Sequence, residues 1–440
     1  MNRTGRPSSN RTVSALTHRY GCRSLRQRFP CMTDIAMTTL DETLTRWVTA
    51  GGRITFAEFM ELALYWPNGG YYIGASIEDT ASDYYTAPLA HPAFGAFLSL
   101  HLEEAWRLLD RPDPFVVVEP GAGSGRLAGD ITRYAEHLDA SFRQALRYIA
   151  VDRGPREQLA EQAVQWLEAA DIPLRGVTGC ILSNELLDAF PVHRVVLRRG
   201  HLQEIYVAYR EGLLVEVEDE PSTPEIKVRL SEEGVVLVEG QRAEVCLELD
   251  RWVGQAASAL ERGFLVTVDY GYSARELYST VRLAGTLRCY FQHTLSDNPY
   301  VRVGQQDMTA HVDFTALANL GERHGLISQP LLTQAEFLGN LGLGTFQRRL
   351  MSAGLGQTER DANRMAMLDL SRPGGMGDFK VLVQGKGVDA AALTGVRGAS
   401  DAWRERLDDL PLPLLDEAHI SVMSARYPHA AQGWGDSWPT

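Results

Sequence analysis

Lysine is nearly missing: Lys227, Lys380 and Lys386 are the three in 440 residues, against 40 arginines, a bias associated with GC-rich bacterial coding. Cysteine is scarce too. Cys22, Cys31, Cys180, Cys246 and Cys289 are odd in number and widely spaced, which argues against a fully paired disulfide framework and a C-x-x-C thiolate metal site and fits a reducing compartment. No apolar run approaches the roughly 20 residues that span a bilayer, so stable membrane insertion is not expected. Positive charge is in deficit, with 43 Lys plus Arg against 56 Asp plus Glu, a net of -13 that repels a phosphate backbone and leaves no nucleic-acid partner expected. What is present is 45% hydrophobic and 22% charged residues, enough to bury a sizeable core in one domain with insertions or in two.

The first 33 residues hold seven arginines and no acid, the composition of a mitochondrial transit peptide. The reading taken is the plainer one, a leader on a cytoplasmic protein, with targeting as the alternative. Residues 1–37 are then a disordered leader and 38–110 a helical N-terminal cap. In that cap Thr55 and Glu58 have capping-box spacing. Phe115–Glu119 reads as a short strand buried on both faces, followed by a glycine turn, a helix from Arg126 to about His137, a strand at Arg147–Val151 and a helix over Glu157–Ala169. That order predicts an α/β fold with a parallel sheet and right-handed crossovers. The first part of this core spans 111–191. Residues 192–247 alternate like antiparallel hairpins, including Val235–Leu237, and form a β-rich insertion for the substrate. The core continues at 248–272, a loop-rich cap covers 273–313, 314–387 complete the core and 388–440 form an appendage.

The most informative run is Glu119-Pro120-Gly121-Ala122-Gly123-Ser124-Gly125-Arg126, an acid-x-G-x-G-x-G pattern between a strand and a helix. Small residues there let backbone approach a ligand closely. A dinucleotide turn has G-x-G-x-x-G, but Arg126 occupies its last position and Glu119 stands beside the expected anion. The pattern therefore favours an adenosyl ligand without phosphate, S-adenosylmethionine, with Glu119 meeting its cationic amino end. Asp152, ending the next strand, is placed to accept from ribose hydroxyls.

Acceptor-side candidates follow later strands. Asn184, Glu185 and Asp188 come after Cys180–Ser183, and a helical turn there would put both carboxylates on one side, suited to a guanidinium. Asp269 and Tyr270 end another strand, where the acid either holds the acceptor or shapes its loop. His311 could take a proton from a hydroxyl acceptor. Tyr71, Tyr72, Tyr84, Tyr85 and Thr86 read as a lid or as ordinary core anchors.

With Ile54–Met60, Gly70–Tyr72, Tyr85–Pro88, Phe94–Gly95, the turn after Glu119, Ser183–Val192, Val268–Gly271 and Thr309–Phe314, the chain resembles the MidA-like family of class I S-adenosylmethionine-dependent methyltransferases across about Asp41–Gly385. The resemblance implies a Rossmann-like core with an inserted substrate region. Mitochondrial members are complex I assembly factors that dimethylate an arginine of a core subunit. Carried over, it makes Glu119, Gly121, Gly123, Gly125 and Asp152 cofactor residues, and Asn184, Glu185, Asp188, Asp269 and His311 acceptor-side residues. Ser183 stands where relatives often have alanine, and Leu186-Leu187 where they have aromatics. The expected activity is protein arginine N-methylation. Methylation of a small metabolite, or a noncatalytic role in protein assembly, are the alternatives.

Overall fold

A computed structural model describes residues 39–74, 85–153, 163–291, 294–417 and 419–420. The expected leader and Tyr84 lie outside these residues. At the described N-terminus Thr39 and Thr55 each cap a helix, Leu40–Gly51 and Phe56–Tyr65, through the reciprocal bonds of a capping box. Phe56, Phe59 and Met60 are fully buried, and burial of such side chains stabilises by about 1.5–3 kcal/mol each.

The centre is an eight-stranded sheet. Five strands run parallel in the order 260–269, 177–184, 115–120, 146–152 and 164–168, and Lys380–Lys386 adds antiparallel to the first. The chain moves outward from Phe115–Pro120 to two strands on one side, then returns to Val177–Asn184 on the other. That reversal opens a crevice at the carboxyl ends of the central strands, where α/β sheets bind ligands. One face of the sheet packs on the Ala93–Leu108 helix and the other on Glu248–Ala259 and Phe314–Arg323. This is the Rossmann-like architecture read from the sequence.

The strands approach so closely at one level that only glycine fits. A Cβ at Gly179 would stand 2.0 Å from the Val116 carbonyl oxygen, and one at Gly263 2.0 Å from that of Gly179. Backbone cannot yield there without breaking three paired strands. Gly179→Ala is expected to cost about 4 kcal/mol or more, seen as a fall in the urea midpoint. An unchanged midpoint would show that the sheet has slack there.

The insertion is antiparallel as expected, with His193–Arg198, His201–Arg210, Leu213–Asp219 and Arg242–Val245, and Ile54–Thr55 of the N-terminal cap pairs with its second strand. Val235–Leu237 is not one of its strands: Val236 is 85% exposed, and the preceding stretch forms a helix, Glu225–Glu232. The expected helix over Glu157–Ala169 is corrected as well. Residues 157–162 lie outside the described ones, and Val164–Glu168 is a strand pairing with Tyr148–Asp152, its alternating Val164, Trp166 and half-buried setting being those of a sheet edge. The loop-rich region carries a small sheet of Arg288–Phe291, Thr294–Ser296 and Asp307–Thr309. The described part of the appendage docks on the core. Tyr134 donates to the Pro411 carbonyl at 3.0 Å and Arg126 to Asp416 at 3.3 Å, both from the helix after the glycine turn.

Candidate functional site

The strand Phe115–Pro120 ends at Glu119 and Pro120, and the chain turns through Gly121, Gly123 and Gly125 at φ of 70°, 55° and 73°. Left-handed φ three times in five residues is what the alternating glycines supply. The next strand clasps this turn. Gly121 donates to the Val151 carbonyl at 2.8 Å and Gly123 to Asp152 Oδ2 at 2.9 Å, while Asp152 Oδ1 accepts from the Arg153 amide at 2.7 Å. A Cβ at Gly121 would meet Leu186 Cδ1 at 2.6 Å. Gly125 serves the helix instead, standing at its N-cap.

Above the strand ends lies a cavity of about 300 Å³. It is lined by Glu119, Gly121, Gly123 and Asp152 and also by Asn184, Glu185, Asp188 and Tyr270. Most predicted site residues are thus brought together, and Gly125, Asp269 and His311 are not among those lining it.

Acidic side chains outnumber the arginines, Arg126, Arg153 and Arg251, that line the cavity. Burial pushes the Glu119 carboxyl up to about 8, against the pull of the Tyr148 hydroxyl that donates at 2.8 Å, and Asp152 adds to the rise. Burial likewise pushes Glu185 up to about 8, with the Asp188 charge adding and the Ala87 amide opposing, and Asp188 up to about 7, against the pull of the Tyr270 hydroxyl on its carboxyl. Asn184 Oδ1 and Asp188 Oδ1 are buried without a hydrogen-bond partner. Unsatisfied acceptors in a concave site mark where a donor group belongs.

The expected helical turn at Glu185–Asp188 does not form. Glu185 takes φ of 46°, a strained conformation for a residue with a Cβ, and its carboxylate accepts from the Ala87 amide at 3.4 Å and from Asn184 at 3.3 Å. Asp269 holds this loop. Fully buried, it accepts from the amides of Leu186 at 3.1 Å, Leu187 at 2.9 Å and Tyr270 at 2.9 Å, so its role here is the loop-shaping one. His311 stands behind the wall, edge-on to Tyr270 at 5.3 Å and beside Tyr272, and burial pushes it down to about 4, which leaves it neutral at neutral pH.

Tyr65 and Asp307 also line the cavity. Tyr65 was not singled out in the sequence because it ends a helix whose apolar face reads as core. Asp307 lies four residues before His311, in a strand whose three residues are all buried, and no periodicity in the sequence marks it.

A family model of S-adenosyl-L-methionine-dependent methyltransferases matches residues 97–331, more than half of the chain. The mitochondrial protein arginine methyltransferase NDUFAF7 homolog of Drosophila melanogaster is 27% identical over 325 residues, 65% of this chain and 71% of that protein. NDUFAF7 of Danio rerio is 25% identical over 345 residues, 70% and 77%. Among solved structures, a COG1565 superfamily member of Burkholderia thailandensis bound to S-adenosyl-homocysteine is 29% identical with a TM-score of 0.71, covering 82% of this chain and 96% of that one. Eight curated relatives, in fly, fish, frogs and mammals, are named as mitochondrial proteins, which overturns the cytoplasmic expectation. Among the described residues no helix is long and apolar enough to cross a membrane.

Proposed function

The chain belongs to the family of S-adenosyl-L-methionine-dependent methyltransferases, and from that premise we propose that it transfers the methyl group to a guanidinium nitrogen of a protein arginine. The observation that carries this reading is Asp188, 6% exposed, with Oδ1 unpartnered, on a cavity wall it shares with Glu185. Two carboxylates on the cavity, Asp188 buried and Glu185 half-buried, suit a planar cation with several N–H donors far better than a neutral acceptor. The arginine methyltransferase names of the curated relatives support the same acceptor. His311, on which a hydroxyl acceptor would have depended, does not line the cavity.

The cofactor, S-adenosylmethionine, supplies a methyl group already activated on a sulfonium. The residues present fit it: Glu119 offers a buried carboxylate to a cation, Asp152 closes the strand end where ribose hydroxyls bind, and the side-chain-free Gly121 and Gly123 leave the space between. On the acceptor side Glu185 and Asp188 orient the guanidinium, and the Asp188 carboxylate, which burial makes a stronger base than a free one, takes up the proton the nitrogen gives up. Positioning and fixed charge carry the catalysis.

The raised Glu119 pKa gives a signed pH dependence. A cation beside the carboxylate favours its ionised form, so donor binding expels a proton whenever Glu119 is protonated in the free protein. Donor affinity is expected to rise with pH, approaching tenfold per unit below about 8, and to level off above it. Calorimetric titrations from pH 6 to 9 check this, and a flat profile would remove Glu119 from the donor contacts. The acceptor is tested with labelled S-adenosylmethionine and a lysate, the label being located by peptide mass spectrometry. Label on arginine nitrogen is expected. Label confined to small metabolites would overturn the reading.

A further inference from the structure

The acceptor loop faces a second acidic wall. Asp307, 1% exposed, begins the Asp307–Thr309 strand, and the backbone ties that strand to the loop, since the Ala310 amide donates to the Asp188 carbonyl at 2.9 Å. Asp307 Oδ1 accepts from the Tyr72 hydroxyl at 2.9 Å and from the Met308 amide at 2.8 Å. The Tyr72 ring stacks on Tyr65 with centroids 5.5 Å apart and planes 23° apart, and Tyr65 is anchored by donating to the Ala189 carbonyl at 2.9 Å. Tyr65, Tyr72, Asp188 and Asp307 line one cavity.

Carboxylates beside aromatic faces are the chemistry of cation recognition. A further observation points to a ligand there, since Asp188 Oδ1 is buried without a hydrogen-bond partner. The Arg153 guanidinium, 4.0 Å from the Tyr65 ring centroid, already occupies a face of that ring.

We propose that Asp307 is a specificity-determining residue, which with Asp188 clamps the acceptor's guanidinium while Tyr72 orients its carboxylate and the Tyr65–Tyr72 stack forms the side of the slot. This rests on the arginine reading and adds to it the residues that select charge. A neutral acceptor of the same shape cannot offset two buried carboxylates, so it is rejected.

The test uses the full chain loaded with S-adenosylhomocysteine and two probes, a blocked Gly-Gly-Arg-Gly-Gly peptide and its uncharged citrulline counterpart, titrated calorimetrically. The unsubstituted protein is expected to prefer arginine by about tenfold or more. Asp307→Asn collapses that ratio to within about threefold, and Tyr72→Phe lowers it by a smaller factor. S-adenosylhomocysteine affinity within about twofold of normal shows that each variant is folded; if Asp307→Asn does not fold, Tyr72→Phe decides. A ratio unchanged in the folded variants overturns the clamp while leaving the arginine reading intact. No preference for the arginine peptide in the unsubstituted protein, or no binding of it, overturns both.

Discussion

Asp188→Asn is expected to lower kcat by about a hundred- to a thousandfold while donor affinity stays within about twofold. The substitution keeps the shape of the side chain and removes its charge, at a position 6% exposed that lines the cavity. A charge-assisted hydrogen bond contributes about 1.5–3 kcal/mol, and loss of the group that receives the proton adds to it. Single-turnover measurements with the acceptor identified by labelling separate transfer from product release. Retained turnover would take Asp188 out of the reaction. A proportional loss of donor affinity would instead assign it to the opposite wall.

The second large effect falls on the donor. Glu119→Gln is expected to weaken S-adenosylmethionine binding by about ten- to a hundredfold, because a buried carboxylate facing a cation is replaced by a neutral amide at about 1.5–3 kcal/mol. Tyr148, whose hydroxyl bonds Glu119 at 2.8 Å, can still donate to the amide oxygen, so the strand end keeps its packing. Asp152→Ala should act in the same direction. It also removes the acceptor of the Gly123 amide, so part of its effect passes through the turn itself. Calorimetry checks both, and unchanged affinity in Glu119→Gln would contradict the donor assignment.

The central strand and its turn were legible because their signals are local. An apolar run from Phe115 and alternating glycines state a buried strand and a left-handed bend without reference to the rest of the chain, and Thr55 with Glu58 states a helix start. Short elements that depend on partners were not. Val164–Glu168 is a strand because it lies beside Tyr148–Asp152, and Val235–Leu237 is not one because no strand lies beside it. The site divided in the same way. Glu119, Asp152 and Asn184 lie at strand ends, Glu185 and Asp188 just past one, and all meet in one cavity, since parallel strands deliver their carboxyl ends to one edge of the sheet. Asp269 also ends a strand, yet its carboxylate accepts from the neighbouring Tyr270 amide and from Leu186 and Leu187 of the loop after another strand, a choice set by tertiary geometry. Asp307 reaches the cavity from a three-residue strand more than a hundred residues beyond Asp188, a meeting that spacing does not reveal.

The most direct measurement is a crystal structure of the protein with S-adenosylhomocysteine. The account predicts the ligand along Gly121–Gly123, its ribose hydroxyls on Asp152, its amino group beside Glu119 and its sulfur turned toward Asp188. Ligand density elsewhere on the protein, or a sulfur facing away from the Glu185–Asp188 wall, would contradict it.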